Sequence, residues 1–258
     1  MQPLIFPRSG ILLKILPLTL LFGFAKWGAH LLGWEVWEFD PLIAALIGAA
    51  TFVLAFTLSG TFNDYRIGEN MVAQIATAIA TIQDTGLMVA AGHAEYDVTE
   101  LSQGLAQVMQ TILEWLTQNK SAEPIDQAIV DLNPLFAQME AFTTGPIISR
   151  LQAEQSKIRF AIVRIQVIRE TDFLAPTYVL LELFLAGVAT ALLLIQEEQL
   201  GKTLVVSSFL VASFLYLLVL IRDLDNPFQY DGKSCIEVDL SPLTTTIDRL
   251  ATHLPEQN

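Results

Sequence analysis

From Pro41 to Phe62 no residue of the chain carries a charge, and Thr203 to Ile221 is equally bare. Two further stretches hold one charge each: Lys26 alone interrupts the run between Lys14 and Glu35, and Glu182 alone interrupts Phe173 to Gln196. A helix rises about 1.5 Å per residue, so about 20 apolar residues cross the roughly 30 Å of hydrocarbon in a bilayer. The pattern predicts four membrane-spanning helices in two pairs. Asn63 to Asp172, between the pairs, is too charged for lipid and too long for a simple connection. The expected organisation is an N-terminal transmembrane pair over 1–62, a soluble insert over 63–172, a second pair over 173–221 and a tail over 222–258.

The first span has a competing reading as a secretory signal, with Arg8 and Lys14 ahead of the apolar Ile15 to Ala25 and the small Gly28 and Ala29. Against it, apolar character resumes at Leu31 to Trp34, and the second span follows after the short acidic link Glu35 to Asp40. A hairpin of two spans accounts for this better. A charge inside a span is costly, so Glu182 is expected to face the bundle or the interface with a hydrogen-bond partner.

The insert reads as helix throughout. Val72, Ile75, Ile79 and Ile82 recur at helical spacing, as do Leu101, Leu105, Val108, Ile112 and Leu116 behind the capping-box pattern Asp97 to Glu100. Thr144 and Pro146 open a longer helix whose Ile158, Ile162 and Ile165 share a face, and no breaker separates it from the third span. Turns are expected at Asn119 to Pro124 and at Asn133-Pro134. With no β pattern and no repeat, the fold class is an all-α polytopic membrane protein whose helical insert continues the membrane helices.

Basic residues predict orientation. The insert carries Arg66, Lys120, Arg150, Lys157, Arg159, Arg164 and Arg169, and the tail adds Arg222, Lys233 and Arg249. The short connections hold Glu35, Glu38 and Asp40, and Glu197, Glu198 and Lys202. The positive-inside rule puts both termini and the insert in the cytoplasm or its equivalent, with Trp27, Trp34 and Trp37 as an aromatic belt at the opposite surface.

Composition removes several function classes. A net charge of −13 opposes nucleic-acid binding, which needs a basic face. Cys235 is the only cysteine, and His30, His93 and His253 are scattered, so neither a disulfide nor a zinc site is expected. No phosphate loop, zinc-protease pattern, nucleophile elbow or dinucleotide fingerprint is present, which argues against an enzyme and implies no cofactor. Asp223, Asp225 and Asp231-Gly232 suggest a calcium loop, but Pro227 occupies a ligand position and Ser234 stands where a bidentate Glu belongs.

The second span holds the candidate chemistry. Ala45, Gly48, Ala49, Phe52 and Phe56 fall on one helical face. One reading is close helix packing through the small residues with the phenyls as core filler, which periodicity alone favours. The other is a pore-lining face, with rings of Phe52 and Phe56 forming an apolar constriction in a symmetric oligomer.

Thr51-Phe52-Val53-Leu54-Ala55-Phe56-Thr57-Leu58 resembles the neck segment of the bestrophin family of pentameric anion channels. Arg8-Ser9-Gly10 to Lys14-Ile15-Leu16-Pro17 is similar to the approach to the first span in bacterial members, and the two-plus-two layout around a helical insert is similar to the family's architecture. Asp225-Asn226-Pro227-Phe228-Gln229-Tyr230-Asp231 resembles the family's Asn/Asp-Pro-Phe-Gly-x-Asp signature, with Ser241-Pro242-Leu243 opening the helix expected after it. The resemblance implies a homopentamer in the bilayer that passes chloride or related monovalent anions, with bicarbonate as an alternative cargo. It makes Phe52 and Phe56 two of three neck rings and puts the third on Gly48, where the family carries a branched apolar side chain. It also implies a clasp role for Asn226 and Asp231, although the later carboxylate position falls on Ser234. The family's Arg-Trp-Trp after the neck helix is replaced by Asp64-Tyr65-Arg66. Arg150, Lys157 and Arg164, seven residues apart, are candidates for a cytoplasmic vestibule or for a solvated face paired with acidic neighbours. The competing class is a non-conducting membrane scaffold or sensor.

Overall fold

The structure is a computed structural model that describes residues 9–118, 120–170, 175–196, 199–230, 234 and 236–252. Among the described residues there are nine helices and no strand, in the order α1 Ser9–Leu31, α2 Pro41–Gly92, α3 Thr99–Gln118, α4 Glu123–Val130, α5 Leu132–Glu140, α6 Gly145–Glu170, α7 Ala175–Leu194, α8 Leu200–Asp225 and α9 Ser241–Ala251. Four of them are long and apolar enough to cross a membrane: α1, α2, α7 and α8. The helix through Val72 to Ile82 is the direct continuation of the second span, since α2 runs 52 residues with no proline to stop it. α6 is described to Glu170 and α7 from Ala175, so the expected junction of the long helix with the third span lies outside the described residues.

The chain divides into two compact units. The first comprises residues 1–65 and 171–226, and the second 66–170 and 227–258. α2 begins in the first and ends in the second.

In the first unit, one apolar stripe of α2, made by Ile43, Ala50 and Leu54, packs into a core with Leu181, Val188, Ala191 and Leu192 of α7 and Val211, Phe214, Leu218 and Ile221 of α8. α1 lies against α7 and α8. Thr51, Thr57 and Thr61 of α2 each turn the hydroxyl back to donate to a carbonyl one turn earlier, which satisfies these polar groups without a tertiary partner. Just past the end of α1, Gly33 adopts a φ of 67°, in the left-handed region that terminates helices, and the Trp34 N–H donates back to Ala29 O at 2.9 Å. Trp27, Trp34 and Trp37, the expected aromatic belt, are all largely exposed at this end.

The second unit is a helical bundle. Val72, Ile75, Ile79 and Ile82 of α2 are fully buried, as are Leu105, Val108 and Ile112 of α3 and Leu151, Ile158 and Ile165 of α6. Close approach is built in at Gly86, where a Cβ would come within 2.5 Å of Leu101 Cδ2 and 3.1 Å of Val98 Cγ2. The helix expected after the Asn-Pro-Phe segment is α9, which packs on α3. Phe228 is buried with its ring over Gly68, and Tyr230 Oη donates to Val238 O at 2.7 Å. At the ends of α6 and α3 the Arg169 guanidinium stacks 4.8 Å from the Trp115 ring centroid and donates to Trp115 O at 3.3 Å.

Candidate functional site

α2 is apolar all round in the first unit, and only one side of it is covered. Ile43, Ala50, Leu54, Thr57 and Thr61 are buried, whereas Ala45, Gly48, Ala49, Phe52 and Phe56 on the opposite side are exposed. Phe52 is 70% and Phe56 73% exposed, and their rings stack on each other with centroids 6.5 Å apart. Among the described residues nothing lies within 4 Å of a Cβ built on Gly48. No helix of the same chain among these residues covers this face, which leaves it open either to a helix of another copy or to a pore axis.

Arg150, Lys157 and Arg164 share an exposed face of α6, as seven-residue spacing on a helix requires. Lys157 Nζ is bonded to Glu154 Oε1 at 2.9 Å, and the exposed surface of α6 also carries Phe160, Val163 and Val167. Of the two clasp candidates, Asn226 forms the C-cap of α8, and its buried Oδ1 has no hydrogen-bond partner among the described residues. Asp231 lies outside the described residues, as do Cys235 and His253. No group of three or more His, Cys, Asp or Glu residues is placed to hold a metal among the described residues.

Glu182 has the partner its position demands. Its carboxylate pairs with the Arg222 guanidinium of α8, which also stacks 5.7 Å from the Tyr178 ring centroid. Glu182 borders an apolar groove between α1, α7 and α8 lined by Leu18, Phe22, Leu185 and Leu215.

A second charged cluster was not expected. Lys26 is completely buried, and its ammonium bonds Glu35 Oε1 at 2.6 Å, Leu193 O at 3.2 Å and Ile195 O at 2.5 Å. All three ammonium protons thus have acceptors, two of them carbonyls at the C-terminal end of α7, where a cation also meets the negative end of the helix dipole. Glu35 spends its other oxygen on His30 Nδ1, at 2.6 Å. Burial pushes the Glu35 carboxyl upward, but the hydrogen bonds and charges of Lys26 and His30 outweigh it and hold the group below its ordinary range. Two residues on, Trp37 N–H donates to Leu194 O at 3.1 Å and Gln196 N–H to Trp37 O at 2.7 Å. Asp40 then caps α2 through Oδ1, which accepts from Ile43 N–H at 2.9 Å. The one cation between Lys14 and Glu35, and the acid just beyond the span, were the available signals, but half of this site is backbone carbonyl and has no mark in the sequence.

Four long apolar helices, a buried charge whose partners lie at a helix end, and a span face left bare of its own chain define an all-α, multi-pass integral membrane protein. Its fold is that of bacterial bestrophin homologues. A bacterial bestrophin homologue from Klebsiella pneumoniae superposes with a TM-score of 0.75 at 15% identity over 95% of this chain and 97% of that one, and a variant of such a homologue with 0.79 at 15% over 93% and 99%. A crystal structure described as a membrane protein variant superposes with 0.82 at 14% over 93% and 100%. No family model matches the sequence, and no curated protein matches it.

Proposed function

We propose that the chain is the subunit of a bestrophin-like homopentamer that passes chloride or related monovalent anions passively, with α2 innermost. The observation that carries this reading is the bare Ala45, Gly48, Ala49, Phe52 and Phe56 face of α2, set opposite a fully packed one. Five copies arranged about an axis would turn Phe52 and Phe56 into consecutive apolar rings. Such a constriction gates by dewetting and favours anions that shed water cheaply, so large weakly hydrated ions pass before small ones. The acidic net charge does not oppose this, because charges beyond a Debye length of about 8 Å are screened and only the lining is felt.

In this reading the first unit sits in the bilayer, the second unit and both termini face the cytoplasm or its equivalent, and the Arg150, Lys157 and Arg164 face of α6 lines a vestibule that draws anions toward the neck. Glu182 and Arg222 neutralise each other within the membrane, which avoids a net charge in lipid. Asn226 and Asp231 supply too few of the 6 to 8 oxygens that calcium prefers, so no obligatory calcium clasp is part of the proposal.

Electron microscopy of the purified protein tests the architecture: a five-fold ring with α2 lining the axis is expected. Chloride and nitrate efflux from proteoliposomes tests the activity. A monomer or dimer, or a pentamer that leaves vesicles as tight as protein-free ones, overturns the channel in favour of a scaffold or sensor in which another helix covers this face.

A further inference from the structure

The cluster around Lys26 is absent from the neck, yet everything it holds leads there. Lys26 bonds Glu35, Leu193 O and Ile195 O; Trp37 is hydrogen-bonded on both sides to Leu194 and Gln196; and Asp40 caps the first turn of α2. The link between α1 and α2 is therefore pinned to the end of α7 at two points, Glu35 and Trp37, five and three residues before the Asp40 cap that starts α2. From Pro41, the first residue of α2, to Gly48 is two helical turns, and the chain makes no contact with a Cβ built at Gly48.

We propose that Lys26 is a positioning residue for the neck: by clamping Glu35 onto the last carbonyls of α7 it sets where α2 starts, and so the placement of the face that carries Gly48, Phe52 and Phe56. This rests on the channel reading for its effect on flux, but not for its effect on the link. Lys26 acts as a cap of α7 as much as an ion-pair partner, because two of its three acceptors are backbone carbonyls. Its complete burial makes the arrangement specific, since an ammonium with no water around it needs every one of these acceptors. A simple exchange of charge between positions 26 and 35 cannot reproduce it, because a carboxylate at position 26 would face the carbonyls of Leu193 and Ile195 with nothing to donate.

The test uses the full chain in its native oligomer, reading amide hydrogen exchange at Trp37, Ala44 and Gln196 beside anion efflux from liposomes. Lys26→Met alone strands the Glu35 carboxylate and is expected to destabilise the fold. Lys26→Met with Glu35→Met removes both charges, and replacing a buried pair by apolar side chains is often neutral for stability. The double variant is expected to keep its melting temperature, to exchange these amides severalfold faster, and to shift efflux or the order of anions severalfold. Lys26→Glu with Glu35→Lys is expected to leave exchange fast. Wild-type exchange in the Met pair, restored protection in the swapped pair, or fast exchange with wild-type efflux each overturns the proposal. If Phe52→Ala with Phe56→Ala leaves efflux unchanged, the neck reading fails separately, and the exchange data still decide whether Lys26 clamps the link.

Discussion

Replacing Phe52 and Phe56 together by Ala separates a pore neck from a packed interface, because the single chain already sets the cost. Full truncation of a buried Phe to Ala costs about 3 to 5 kcal/mol. With exposures of 70% and 73%, under a third of each ring is covered by its own chain, which scales to about 1 kcal/mol per ring. The stacked pair at 6.5 Å adds at most about 1 kcal/mol, and alanine returns part of this through its higher helix propensity. If the rings face an aqueous axis, the double variant loses about 1 to 2 kcal/mol, the oligomer persists, and the widened, wetted neck raises efflux and flattens the order of anions. If they are buried against a helix of another copy, the two truncations cost about 6 to 10 kcal/mol together, and the assembly falls apart. Thermal melting followed by size-exclusion, read beside proteoliposome efflux, reports both quantities on one preparation. A dissociated oligomer with no gain in efflux refutes the neck.

Acid should weaken the membrane unit through Glu35. Lys26 and His30 hold its carboxyl below the ordinary carboxylate range in the folded chain, so the stabilisation is complete above that range and is lost as pH falls through the lower folded value; a melting profile from pH 6 to pH 3 should flatten in Glu35→Gln. Gly86→Ala should destabilise the second unit by about 1 to 3 kcal/mol, since the new methyl collides with Leu101. Gly48→Ala meets nothing within 4 Å, so it should leave melting unchanged or raise it by up to about 1 kcal/mol while narrowing the neck and slowing efflux; equal melting losses at the two glycines would contradict the geometry. Arg222→Gln leaves the Glu182 carboxylate alone in the membrane unit, at a cost of up to about 3 kcal/mol, and adding Glu182→Gln should recover part of the lost melting temperature.

The membrane helices were legible because charge depletion over a span-length run has few other causes, and the bundle positions Val72, Ile75, Ile79 and Ile82 because helical periodicity marks a buried stripe. The demand that Glu182 be paired was legible too, but not that Arg222, 40 residues away, would meet it. Periodicity could collect Gly48, Phe52 and Phe56 on one face but not say whether the chain itself covers it: when all sides of a helix are apolar, nothing in the pattern says which side is packed. The Lys26 site was least legible. Its acceptors include main-chain oxygens of Leu193 and Ile195, and any residues with the same backbone path would supply them.

The ammonium of Lys26 also orders events during synthesis. Its carbonyl acceptors lie 167 and 169 residues downstream, so while the ribosome is still making the second unit, α1 holds a cation with only nearby Glu35 to answer it. The threonines of α2 impose no such wait, since each hydroxyl is satisfied within its own helix as soon as that helix forms. The first hairpin is thus an unfinished half, and arrival of α7 is the event that completes it.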